Sequence, residues 1–106
     1  MLPFERSGPP TYDLQEVQRL VGQGELSRFV TEAAAEGAER LGFVLEDVVE
    51  AVLLLVPANF YKTMEASQFP GRWQDVYHLS FRGVPLYLKL QIDNSGRAVV
   101  IQFKRK

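Results

Sequence analysis

The chain has 106 residues and a mass of 12.0 kDa, enough for one compact core and too little for two. Hydrophobic residues make up 46% and charged residues 24%, the balance of an ordinary soluble globular protein. Without cysteine, disulfides and thiolate metal sites are excluded, and one histidine excludes a His-rich metal site; this fits a reducing cytoplasm.

The net charge of -1 points to no particular partner, but it is unevenly divided. Residues 1–56 carry four arginines against ten Asp or Glu, a net -6, while residues 57–106 carry four lysines and four arginines against Glu65, Asp75 and Asp93, a net +5. The second half is suited to attract phosphate and the first to repel it. The plain alternative is chance segregation on a small surface.

The opening "MLPFERSGPP" has neither the apolar run nor the cleavage signature of a secretory signal. Gly8-Pro9-Pro10 predicts a flexible or extended lead-in over residues 1–11 of a single domain spanning 1–106. Asp13 can cap a helix whose apolar positions Leu14, Val17, Leu20 and Val21 recur every three or four residues, ending at Gly22 or Gly24. The short "ELSRFV" can supply an edge strand. Thr31 then caps "EAAAEGAERLG", rich in strong helix formers and closed by Gly42. A third helix is expected from about Glu46 to Leu54, burying Val48, Val49, Val52 and Leu53, and Pro57 bars its continuation. Its window "VVEAVLLLVP" is ten residues and contains Glu50, against roughly 20 apolar residues for a bilayer crossing. It is core, and no membrane partner is expected.

From Phe60 the period switches to two. Strands are expected at "NFYKTME", "WQDVYHLSF", "PLYLKLQID" and "AVVIQFKR", separated by the turn signals "SQFPGR", "RGV" and "NSG". Helices precede strands, which predicts an α+β fold: a mainly antiparallel sheet with about three N-terminal helices packed on one face.

The last hairpin can be registered from its pattern. Leu86, Leu88, Leu90 and Ile92 form one apolar face, and Val99, Ile101 and Phe103 another. Directly opposed residues share a face, so odd apolar positions meet even ones. A two-residue turn at Ser95-Gly96, or a four-residue loop from Asn94 to Arg97, pairs Asp93 with Ala98 and Tyr87 with Lys104. A turn at Arg82-Gly83 pairs Leu88 with Tyr77 and Tyr87 with His78. One row across three strands then reads His78, Tyr87, Lys104, in steps of about 5 Å.

Cleaving a phosphodiester requires a base for the attacking 2'-hydroxyl, an acid for the leaving oxygen and cations for the developing charge. Imidazole, phenol and ammonium can fill those roles, and the aromatic rings can stack on bases. The plain alternative is that Lys and Tyr are simply good solvent-facing strand residues. Trp73 shares its face with Tyr77, Leu79 and Phe81 and is expected in the core, with Asp75 capping or pairing near the sheet edge.

The order "NFYKTM", "WQDVY", "YLK", "FKRK", with "LQEVQRLVGQGEL" near the start, resembles the motility quorum-sensing regulator (MqsR) family of bacterial type II toxins from about Leu14 onward. The resemblance implies a RelE-like fold and a metal-independent mRNA interferase: an endoribonuclease with no cofactor that arrests growth until a cognate antitoxin binds. The partners it implies are an mRNA substrate and that antitoxin, with the ribosome a further candidate. The family's active residues fall on Lys62, Gln74, Tyr87 and Lys104. His78 departs from the family's pattern and enters as a base by its own chemistry. The segment "SQFPGR" looks long for the family, and the chain's acidity is unlike a ribonuclease toxin.

By these roles Lys62 and Lys104 bind phosphate and carry transition-state charge, and Gln74 bonds a base edge or phosphate. Tyr87 stacks and orients, acting as acid or base only where cations draw a phenol down from about 10. Arg72, Lys89, Arg105 and Lys106 are candidates to guide the RNA backbone. The competing expectations are a non-catalytic RNA-binding or protein-interaction domain on the same scaffold and, less favoured, a small antitoxin.

Overall fold

A computed structural model describes residues 5–6, 8–66 and 72–106, with the backbone alone for Glu5 and Arg6. Most of the "SQFPGR" segment, whose length the sequence singles out, lies outside the described residues, as do residues 1–4 and 7 of the expected lead-in. Within that lead-in, Glu5–Arg6 form a short strand, β1.

Helix α1 runs Leu14–Gln23, opened by the Asp13 carboxylate accepting from the Gln15 amide. A 3-10 turn, Glu25–Ser27, leads into β2, Arg28–Val30. Helix α2 spans Glu32–Arg40 and α3 spans Leu45–Leu54. After a 3-10 turn opened by Pro57, β3 (Phe60–Glu65), β4 (Trp73–Phe81), β5 (Val84–Ile92) and β6 (Ala98–Arg105) follow. The fold is α+β. The six-stranded sheet has the order β1-β3-β4-β5-β6-β2, antiparallel except for the β2/β6 pair.

The three helices cover one face of the sheet. Val17, Leu20 and Val21 of α1, Ala34 and Ala38 of α2, and Val48, Ala51 and Val52 of α3 are buried with Tyr77, Phe81, Leu86, Leu88, Leu90, Val100 and Phe103. Burial lifts the Tyr77 phenol to about 12, with Asp75 and Asp13 adding to it. Gln18 of α1 ends α3: its amide nitrogen donates to the carbonyls of Val52, Leu53 and Leu55, at the terminus where helix carbonyls lack intrahelical partners. Gly37 lets α2 lie directly on β6. A Cβ there would collide with the carbonyl oxygen of Phe103, so this helix accepts a residue that costs it propensity in exchange for a close approach.

Two features of β6 correct the sequence expectations. The β5/β6 loop is Asp93 to Arg97, and Ile92, not Asp93, pairs with Ala98. The Asp93 carboxylate accepts the amides of Ser95 and Arg97 and pairs with the Arg97 guanidinium, holding the loop closed. A bulge at Ile101 then absorbs the extra residue, so Leu90 meets Val100 while Lys89 meets Gln102 and Tyr87 still meets Lys104. Before the bulge the core face is therefore Ala98 and Val100 rather than Val99 and Ile101. The bulged Ile101 carbonyl accepts from the Thr31 hydroxyl at 2.8 Å, and that hydroxyl also accepts from the Ala34 amide to cap α2.

The β4/β5 turn is Arg82-Gly83 as expected, both at positive φ. Arg82 is held there by Asp47 and Glu50 of α3 at 2.8 and 3.1 Å, with its guanidinium 4.7 Å from the Phe81 ring centre. Trp73 is only partly buried and stands outside the core cluster; beside it the Tyr12 hydroxyl donates to the Trp73 carbonyl. The buried Asp75 carboxylate accepts the Thr11 and Tyr12 amides at 3.0 and 2.8 Å. It pins the N-terminal segment and takes no part in the open face.

Candidate RNA-cleaving face

The sheet face turned away from the helices carries the polar positions of β3 to β6. On β4 and β5, Tyr87 lies opposite His78, and on β5 and β6 it lies opposite Lys104. The row expected from sequence is therefore present. Lys104 Nζ stands 4.9 Å from the Tyr87 ring centre, and the His78 and Tyr87 rings are 5.9 Å apart at 43°.

A second row lies alongside. Lys62 of β3 is opposite Val76, Val76 is opposite Lys89, and Lys89 is opposite Gln102. Val76 is fully buried, as expected when two lysine stems lie over it and carry their ammonium groups outward. Lys89 Nζ is 6.0 Å from the Tyr87 ring centre. Next along the face, the Gln74 amide donates to Gln91 at 3.3 Å. Lys62, Gln74, His78, Tyr87, Lys89 and Lys104 thus share one surface.

The remaining guide candidates divide. Lys106 extends past β6, its amide bonded to the Pro85 carbonyl at 2.8 Å, and its charge is felt by His78. Arg105 pairs with the buried Leu86 and so points to the helix side, away from the lysines. Arg72 precedes β4, where its charge acts on Tyr12, not on this face.

Sequence reasoning missed Tyr61. It stacks on His78 with ring centres 4.2 Å apart at 24°, is 58% exposed, and has Lys62 Nζ 5.6 Å from its ring. A bulge between Phe60 and Lys62 puts it there. The signal was available: strict alternation would place Phe60 and Lys62 on the same face, and an aromatic bound for the core with a lysine bound for solvent demands an extra residue between them.

The electrostatics favour nucleophile activation and anion binding together. Burial, then Lys106 and Lys62, lowers the His78 pKa, so the imidazole is neutral and able to accept a proton at pH 7. Burial, then Lys104 and Lys62, lowers that of Lys89. Two cavities lie away from this face, one of about 630 Å³ beside β2 and one of about 720 Å³ between α1 and Pro57. An open face suits a strand of nucleic acid laid across it better than a small molecule, which needs enclosure.

Comparison with known proteins identifies relatives. A model of the family described as "Motility quorum-sensing regulator, toxin of MqsA" matches residues 9–105. The "mRNA interferase toxin MqsR" of Escherichia coli (strain K12) is 28% identical over 103 residues, covering 97% of this chain and all of that protein.

Proposed function

The chain belongs to the motility quorum-sensing regulator toxin family, and from that premise we propose that it is an mRNA interferase, an endoribonuclease toxin of a toxin-antitoxin pair. The observation that carries the proposal is the continuous row Tyr61, His78, Tyr87, Lys104, flanked by Lys62 and Lys89 on the sheet face turned away from the helices. The relative named as an mRNA interferase supports the choice of substrate.

The chemistry follows from the groups present. Neutral His78 takes the proton of a ribose 2'-hydroxyl as its oxygen bonds to phosphorus. The bond from phosphorus to the 5'-oxygen breaks, and that oxygen leaves with a proton from Lys104 or Lys62. The products are a 2',3'-cyclic phosphate and a 5'-hydroxyl. The lysines stabilise the extra negative charge in the transition state, and Tyr87 orients the nucleotide against Lys104. Tyr61 offers a stacking surface for a base, worth about 1–3 kcal/mol, and Gln74, held by Gln91, bonds to a base edge or phosphate. Every group in this scheme is an amine, amide, imidazole or phenol, which is the support for cleavage without a metal.

No helix among the described residues is long and apolar enough to cross a membrane. We place the protein's action in the cytoplasm, on messenger RNA, under the control of an antitoxin encoded with it. The test is to incubate purified protein with RNA in EDTA and map the ends. New 5'-hydroxyl ends support the enzyme, whereas binding without cleavage would make the chain an RNA-binding domain on a toxin scaffold.

A further inference from the structure

At the end of the sheet away from β1, β2 contributes only three residues and pairs with β6 alone. Among the described residues nothing pairs with its outer edge. An edge of this kind is a template for another strand. Beside it lies the cavity of about 630 Å³, walled by Phe29 of β2, Ala35 and Ala38 of α2, and Phe43, Val44 and Leu45 where α3 begins. Phe29 is 47% exposed, Val44 60%, Leu45 45%, and Leu26, in the turn before β2, 93%. Large apolar side chains gathered in water around one groove mark an interaction site.

Its charge selects the partner. Glu25 and Glu39 line the groove and make no ion pair among the described residues. Arg28 also lines the groove, its guanidinium donating to the Val21 carbonyl at 2.7 Å, and Arg97 is paired with Asp93 while lying over Phe29. The groove is apolar, its rim carries two carboxylates against one guanidinium and is net acidic, and among the described residues the outer main-chain groups of β2 have no strand partner.

We infer that this groove docks an extended segment of the antitoxin in which large apolar and basic side chains alternate, added to β2 as a seventh strand. The inference rests on the antitoxin partner proposed above. The apolar side chains fill the space between Phe29 and Leu45, the basic ones meet Glu25 and Glu39, and the main chain pairs with Arg28–Val30. Three residues of edge provide few hydrogen bonds, so the apolar anchors carry most of the affinity.

The test uses the full chain and, as probe, the purified protein encoded by the adjacent reading frame. On binding, the amides of Arg28 and Val30, which alternate with the β6-facing amides of Phe29 and Thr31, are expected to gain protection from hydrogen exchange. Phe29→Glu and Leu45→Glu, both at exposed positions, are each expected to weaken binding by about tenfold or more and to leave RNA cleavage by the free chain unchanged. Leu53→Glu, at an exposed position at the other end of α3, leaves binding intact. Should a substitution unfold the chain, exchange on the unaltered protein still decides. Binding without protection at β2 overturns the groove and leaves the antitoxin partner standing; absence of binding overturns both. Concentration-dependent self-association that Phe29→Glu abolishes would give the groove to a second copy of the chain and overturn the antitoxin as occupant.

Discussion

Lys104 Nζ stands 4.9 Å from the centre of the Tyr87 ring, directly across the β5/β6 ladder. A cation held over an aromatic face beside an open surface can meet a phosphate while the ring orients the adjoining sugar or base. Lys104→Ala is expected to lower cleavage of a defined RNA about 10²- to 10³-fold, the usual loss for one transition-state charge contact. Tyr87→Phe keeps the ring and loses the hydroxyl, with a smaller loss of about tenfold. Both relieve growth inhibition with melting temperatures close to the parent's. A doubly substituted chain that still cuts RNA and arrests growth would take the site elsewhere.

The lowered His78 pKa makes a prediction with a definite sign. If His78 is the base, activity falls on the acid side only below its ordinary value of 6.5, because the folded imidazole resists protonation. His78→Asn is expected to remove that acidic limb from the kcat/KM profile along with most of the rate. Stability follows the same linkage: below pH 6.5 the unfolded chain binds the extra proton more readily, so the parent loses stability on acidification through this window. The asparagine variant loses less, which thermal melts at several pH values would record.

Lys89 sets function against stability. Its charge is disfavoured by burial and by Lys104 and Lys62, so at neutral pH it costs the folded state, and the cost is relieved only as alkaline pH removes the proton. Lys89→Met is therefore expected to raise the melting temperature at pH 7. It is also expected to weaken RNA binding and to reduce the slope of log affinity against log salt by about 0.7, one phosphate contact on a single strand. A variant no more stable than the parent would contradict the burial of the charge.

Gly37→Ala tests the scaffold that carries the site. The added methyl meets the Phe103 carbonyl, which as backbone cannot swing aside. Overpacking of this kind costs about 1–3 kcal/mol, or a fall of roughly 10 °C in a domain of this size. Because Lys104 follows Phe103, the same substitution is expected to lower cleavage more than the stability loss alone explains, measured well below the melting transition.

Much of this arrangement was legible in the sequence. Alternation in Trp73 to Ile92 and a recognisable Arg82-Gly83 turn sufficed to place Tyr87 opposite His78. Tyr87 and Lys104 also met as expected, although the loop does not close where the pattern said: the Asp93 to Arg97 closure and the Ile101 bulge displace the register in opposite directions and cancel. Neither was visible locally, since the bulge is stabilised by Thr31, seventy residues away in sequence. Tyr61 was hidden by a second bulge, and Trp73 was assigned to the core because it shares its strand face with Tyr77, Leu79 and Phe81, whereas at the start of β4 that face is beyond the core cluster. Arg105 was grouped with Lys104 by adjacency, and the pleat sends neighbours to opposite faces.

The division of charge along the chain becomes, in the fold, a division in space. Glu32, Glu36, Glu39, Glu46 and Glu50 are exposed on the helical layer, while Lys62, Lys89 and Lys104 occupy the opposite sheet face. A molecule of net charge -1 is thereby an electric dipole across its own thickness. In the field of a polyanion it turns before it touches, presenting Lys104 first and its glutamates last. Neutralising the glutamates would strengthen attraction to RNA yet reduce this orienting torque, so collisions would become more frequent and a smaller share of them would be productive.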